Sequence, residues 1–224
     1  MTSEYYEQKI SSLIETGYTF ETGRYISEGW DIFQKNAGSF IGYCALKIFI
    51  NMAVGIFGGL GRLLVIKPLD LGYYIVAGKT DTREKTEFGD FFKGFDYFGQ
   101  IVLAKLISGV FIVFGFLFLI IPGIYFAVAY GFSSLMVVFT GSEFWPALEN
   151  SRRLISKKWF SFFGFFLLLG LINLLGLLAL GLGLLVTIPF TYCTVYAAFK
   201  NIVGFELSGT AVVNAAETMQ TSSF

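Results

Sequence analysis

This sequence predicts an all-α fold: a polytopic membrane helix bundle of about six transmembrane helices. They are arranged as three tandem helical-hairpin units, each preceded by an amphipathic interfacial helix. Three observations carry that expectation. Of 224 residues, 55% are hydrophobic and 14% charged, against about 25% charged in an average soluble domain. The apolar residues fall in six long runs. Proline marks the second run of each pair, in Pro68-Leu-Asp-Leu-Gly-Tyr-Tyr, Pro122-Gly-Ile-Tyr and Pro189-Phe-Thr-Tyr. A soluble fold of this size cannot hide 27 phenylalanines, whereas a hydrocarbon layer about 30 Å thick can.

Residues 1–25 read as a polar N-terminal cytoplasmic segment, with a short helix from Ser3 to Glu15 carrying Ile10, Leu13 and Ile14 on one face. The first 37 residues hold no apolar core of a signal peptide, so the first span is expected to serve as the insertion signal. Ile26–Lys35 places Ile26, Trp30 and Phe33 at helical spacing and reads as a helix lying in the interface. The membrane domain then covers 26–204, in units of about 26–80, 86–140 and 147–204. Its spans are about Ser39–Gly61, Leu63–Gly78, Tyr97–Ile121, Pro122–Phe139, Phe160–Leu180 and Leu182–Val203. The second is the weakest, being short and carrying Lys67 and Asp70. Very short connections within each pair predict antiparallel hairpins. Residues 205–224 read as a flexible polar tail.

The repeat has a register. A shift of 122 residues lays Phe40-Ile41-Gly42 on Phe162-Phe163-Gly164 and Lys35 on Lys157; a shift of 57 lays Gly42 on Gly99. Each second span begins near proline, which costs no hydrogen bond in a first helical turn. Two spans per unit mean that every copy enters the membrane in the same direction, whereas inverted-repeat transporters need an odd number. Of the sixteen basic residues, Arg62 and Lys67 fall on the far side and Lys47 and Lys105 inside spans; all others share the N-terminal side. The positive-inside rule then places both termini and the longer loops in the cytoplasm.

Few residues carry chemistry. Lys47 and Lys105 sit about nine residues into the first and third spans, at almost equivalent repeat positions. An intramembrane lysine is either a functional charge or a snorkelling one whose ammonium reaches the headgroups. Asp70 is the one carboxylate placed to pair inside the membrane, and Asn51 is a further polar candidate near Lys47. In the loops, Glu87–Phe95 carries Phe88, Phe91, Phe92 and Phe95 on one helical face. Ala147–Trp159 combines Leu148, Leu154 and Ile155 with Arg152, Arg153, Lys157, Lys158 and Trp159. Those last five are candidate contacts for anionic lipid headgroups, and the alternative is plain anchoring. The pattern Gly55-x-x-x-Gly59 and the glycines Gly176, Gly181 and Gly183 read as helix-packing positions. Cys44 and Cys193 lie in apolar runs and read as free thiols. There is no histidine, which removes the commonest general base and metal ligand. No catalytic set, cofactor-binding motif, metal-ligand cluster or basic nucleic-acid stripe is present.

The stretches Gly29-Trp30-Asp31-Ile32-Phe33, Gly89-Asp90-Phe91-Phe92-Lys93-Gly94-Phe95, Ile120-Ile121-Pro122-Gly123-Ile124-Tyr125 and Ala147-Leu148-Glu149-Asn150-Ser151-Arg152 occur in that order. With them the chain resembles a broad family of uncharacterised bacterial integral membrane proteins. That family is related to the membrane domain of glycerophosphoryl diester phosphodiesterases. The resemblance covers about residues 25–205. It implies a six-helix membrane bundle without an established activity, and the diesterase catalytic domain is not in this chain. Similar sequences also carry the label carotene monooxygenase, but a chain without histidine cannot build the His-ligated iron that such chemistry needs.

The expectation is therefore a non-enzymatic, multi-pass protein of the bacterial cytoplasmic membrane, acting through lipid or protein contacts in an accessory, assembly or envelope role. Its partners would be membrane lipids, anionic ones included, with a protein partner or a second copy of the chain beside them, and no nucleic acid. Two alternatives stay open: a transporter or channel for a small or amphipathic solute, and an intramembrane lipid-modifying enzyme.

Overall fold

The computed structural model describes residues 3–55, 58–179 and 181–204. Among them every regular element is helical and none is a strand. In chain order these are α1 (Ser3–Thr16), α2 (Thr22–Lys35), α3 (Ala37–Val54), α4 (Gly58–Gly61), a π turn (Arg62–Ile66) and α5 (Lys67–Asp81). A 3-10 segment (Phe88–Tyr97) leads into α6 (Phe98–Phe118), followed by α7 (Ile120–Ala129), α8 (Ser133–Thr140), α9 (Phe144–Ser156), α10 (Trp159–Leu178) and α11 (Leu184–Val203). The tail read from 205 onward lies outside the described residues.

Among the described residues four runs are long and apolar enough to cross a membrane: Ala37–Val54, Phe88–Phe118, Ile120–Thr140 and Trp159–Leu178. They leave large apolar side chains uncovered. Leu117, Phe118, Leu119, Ile120 and Ile121 are each 65–78% exposed, and Phe160 is 83% exposed. An uncovered apolar surface of this extent is stable against hydrocarbon, not water. The second and sixth expected spans do not reach the same standard among the described residues. The reason is polar content: α5 carries Lys67, Asp70 and Lys79, and α11 carries Thr187, Thr191, Tyr192, Thr194 and Lys200. Both helices are instead heavily buried. Eleven of the fifteen residues of α5 are buried, as is every residue of α11 from Cys193 to Phe199.

The described residues cluster into two compact units. Of the described residues, one draws on 3–20, 96–163, 203 and 204; the other on 21–55, 58–95, 164–179 and 181–202.

In the first unit α6 and α7 form a hairpin joined by a single extended residue, Leu119. Only glycine permits this closeness: a Cβ on Gly115 would stand 2.8 Å from the Gly123 nitrogen, and one on Gly123 2.5 Å from the Phe116 ring. Pro122 sits in the first turn of α7, where its missing N–H leaves nothing unpaired. The fourth span is not the single helix that the sequence predicts, but breaks at 130–132 between α7 and α8. Ser151 of α9 repairs the break, donating to the Ala129 carbonyl (2.8 Å) and accepting from the Phe132 N–H (3.1 Å). The broken backbone groups are thus satisfied inside the protein, as an apolar medium demands.

In the second unit the 3-10 segment lies directly against α5. A Cβ on Gly72 would stand 1.9 Å from the Phe91 carbonyl oxygen, and one on Gly94 2.0 Å from that of Pro68. The expected helical face of four phenylalanines is therefore not kept. Phe91 is buried and stacks on Tyr43 (4.2 Å between centroids), while Phe88, Phe92 and Phe95 stay exposed. On α2 the buried side is Tyr25, Gly29, Ile32 and Phe33. Trp30, at helical spacing with Ile26 and Phe33, is 41% exposed, whereas Phe33 is buried. Gly29 sets that rotation, because a Cβ there would stand 2.5 Å from Thr194 Cα. Pro189 does not open a helix. It is the sixth residue of α11, where it removes the bond to the Leu185 carbonyl, a loss that membrane helices tolerate.

A Cβ added at Gly55 or Gly59 would meet no described atom within 4 Å, so their spacing does not mark a helix contact among the described residues. Gly176 and Gly183 do approach each other, a Cβ on Gly183 lying 2.7 Å from Gly176 Cα. Both cysteines are buried and unbridged.

Candidate functional site

The second unit holds a buried charge cluster centred on Asp70. Pro68 prepares it. Proline cannot donate to the carbonyl four residues back and crowds it; just before it, Lys67 N–H bonds instead to Arg62 O, five residues back. That π turn adds one residue to the helical ladder and rotates the downstream helix by about 100°. Asp70, in the next turn, meets Lys47 of α3: Nζ lies 2.5 Å from Oδ1. Lys67 approaches the other carboxylate oxygen at 3.3 Å. Tyr192 of α11 donates its hydroxyl to Oδ1 at 2.7 Å. The side chains of Lys47 and Asp70 are 14% and 17% exposed.

Aromatic rings close the cluster. Tyr73 and Tyr192 stack at 4.5 Å, and the Lys47 ammonium stands over both faces, 4.8 and 5.1 Å from their centroids. Such cation–π contacts contribute about 0.5–2 kcal/mol each, more when desolvated. Tyr43 donates to the Leu69 carbonyl at 2.9 Å, fixing the backbone beside Asp70. One carboxylate facing two ammoniums leaves the group with a net positive charge. Asn51 stands one turn further along α3, half-buried, and is not among the groups bonded to Asp70. The sequence brought Lys47, Asn51 and Asp70 forward but not Tyr192. The one available signal was that Tyr192 lies 122 residues from Asp70, the spacing expected of the repeat.

Lys105, in the first unit, has different surroundings. Its Nζ meets the Ser133 hydroxyl at 3.1 Å, and Ser133 donates onward to the Tyr130 carbonyl at 2.8 Å.

The basic helix α9 belongs to the first unit and divides the five candidate lipid contacts. Arg152 is held by Glu149 through two bonds, 2.9 and 2.7 Å. Those bonds hold the Glu149 carboxyl below the usual carboxylate range and raise the guanidinium further. Lys158 stands over the Tyr18 ring, and Trp159 stacks on Phe163 and Tyr125. Arg153 and Lys157 are exposed. Beside Arg152 opens a cavity of about 280 Å³, lined by Phe111 of α6, Tyr125, Phe126 and Tyr130 of the α7 side, and Trp145, Leu148, Glu149 and Arg152 of α9.

Among the described residues no three His, Cys, Asp or Glu side chains gather as a metal site. No family model matches the chain, and no curated protein or solved structure matches it.

Proposed function

We propose that this chain is a non-enzymatic, multi-pass protein of a bacterial cytoplasmic membrane that works through lipid or protein contacts, in an accessory, assembly or envelope role. A protein partner or second copy would act beside the lipids. Both termini face the cytoplasm in this reading, and six spans form three tandem hairpins. The observation that carries the reading is α9 and its cavity. The helix buries Leu148, Leu154 and Ile155, exposes Arg153 and Lys157, and leads directly into the uncovered apolar surface of α10. Basic and aromatic groups at the foot of an apolar span suit phospholipid headgroups. Burial supports the threefold plan too, since α3, α6 and α10 are the uncovered helices while α5, α8 and α11 are the covered ones. Asp70 bonding to its repeat counterpart Tyr192 agrees with it. The relation to the membrane domain of glycerophosphoryl diester phosphodiesterases rests on the sequence motifs and belongs to this proposal.

Purification in mild detergent followed by lipid and protein mass spectrometry tests the reading. It predicts phospholipids, or a protein partner, enriched over their share of the source membrane. A clean monomer carrying neither would contradict it.

A second reading, a transporter or channel for a small or amphipathic solute, draws on the buried Lys47–Asp70 pair. Intramembrane charges commonly mark solute or proton paths. Flux into proteoliposomes that disappears in Lys47→Met would favour it.

A further inference from the structure

The cavity beside α9 has walls of two kinds. Five rings, from Phe111, Tyr125, Phe126, Tyr130 and Trp145, surround it. The α9 wall presents Glu149 and Arg152 side by side. An acyl chain needs only the rings. A simple anion would find the charge of Arg152 already matched by the paired Glu149 carboxylate, though not all of its donors are used. A simple cation would find the rings and Glu149, but also the guanidinium. The ligand that complements all three features carries an ammonium and a phosphate close together. Its ammonium would lie against ring faces and the Glu149 carboxylate, as cations lie in aromatic cages. Its phosphate would take the guanidinium donors that Glu149 and Tyr125 leave unused, a geometry in which arginine is strong. A cavity of about 280 Å³ has room for a headgroup of this kind, since one water takes about 30 Å³.

The surroundings point to a lipid as the source. Phe111 lines the cavity and also belongs to the exposed apolar stripe of α6, with Val110, Phe114 and Phe118. Tails attached to a headgroup in the cavity would run along that stripe. Trp145 lines the cavity and is 53% exposed, and tryptophans are enriched at membrane interfaces.

We infer that the α6–α7–α9 cavity binds the headgroup of a zwitterionic phospholipid, ammonium toward Glu149 and the rings, phosphate toward Arg152. This rests on the lipid-contact reading above and specifies the ligand. It also separates two surfaces on α9: Arg153 and Lys157 meet anionic headgroups non-selectively, and the cavity selects.

The test is native mass spectrometry of the full chain in detergent, titrated with phosphatidylethanolamine, phosphatidylcholine and phosphatidylglycerol of matched tails. The wild type is expected to retain the two zwitterionic lipids at least about threefold better than the anionic one. Glu149→Gln is expected to weaken the zwitterionic lipids about tenfold, the loss of one charge-assisted contact, while leaving phosphatidylglycerol unchanged or stronger, because Arg152 is then released. Trp145→Ala, in the cavity lining, is expected to weaken the zwitterionic lipids with α9 intact by circular dichroism. Equal loss of all three lipids in Glu149→Gln, or a wild-type preference for phosphatidylglycerol, would overturn the headgroup assignment and leave the general lipid reading standing. Retention of no phospholipid at all would overturn both the headgroup assignment and the lipid-contact part of the reading.

Discussion

Lys47 and Lys105 occupy nearly the same place in the sequence pattern, yet Lys47 meets a carboxylate and Lys105 a serine hydroxyl in the fold. Lys47, eleventh residue of α3, is joined to a carboxylate on the next helix, a second lysine beyond it and two tyrosine faces. Lys105, eighth residue of α6, meets a serine hydroxyl. The difference lies in the second helix of each hairpin. Only the first offers a carboxylate, Asp70, and only there does a π turn before the proline re-aim the downstream residues. The lesson is that an intramembrane lysine cannot be interpreted from its own depth; the partner that the neighbouring helix supplies decides whether its charge is fixed or merely tolerated.

That contrast predicts graded effects. The largest belongs to Asp70→Asn, which leaves Lys47 buried beside rings without its carboxylate. Removing one partner of a buried pair costs about 3–5 kcal/mol, so thermal unfolding in detergent should fall sharply. Adding Lys47→Met to that variant should recover much of the loss, whereas Lys105→Met added to it should recover none. Tyr192→Phe should cost less, about 1.5–3 kcal/mol for one hydrogen bond to a charged group, read from the same melts. Lys105→Met alone is expected to cost less than Tyr192→Phe, because the bond lost with Ser133 joins it to a neutral hydroxyl and that loss is offset by relief of desolvation. If Lys105→Met proved as damaging as Asp70→Asn, the contrast between the hairpins would be wrong. Smallest of all should be Gly59→Ala, within about 0.5 kcal/mol, since the added methyl meets open space; the same detergent melt would register any larger shift.

The helical architecture was legible because apolar run length and proline placement are local signals, and a bilayer amplifies them. Lys47, Asn51 and Asp70 stood out because charge and amide groups are rare in such runs. Tyr192 did not, since a tyrosine in an apolar helix is ordinary until its hydroxyl finds a carboxylate across the bundle. The break at 130–132 left no mark in the apolar pattern, for the residue that repairs it, Ser151, lies about twenty positions away in another helix. The inner face of α2 was not legible, because a glycine leaves no mark in a hydrophobic pattern. In the fold, Gly29 sets the contact by letting α11 come close. The same blindness applied to Gly55 and Gly59, whose spacing is shared by packing and non-packing glycines alike.

A plan of three hairpins requires the covered helices α5 and α11 to cross the membrane despite their polar content. Single cysteines at Lys85, after α5, and at Leu182, before α11, probe this in a chain whose own two cysteines are buried. An impermeant maleimide is expected to label Lys85→Cys only from the cytoplasmic side of membrane vesicles and Leu182→Cys only from the opposite side. Labelling of both from one side would contradict it.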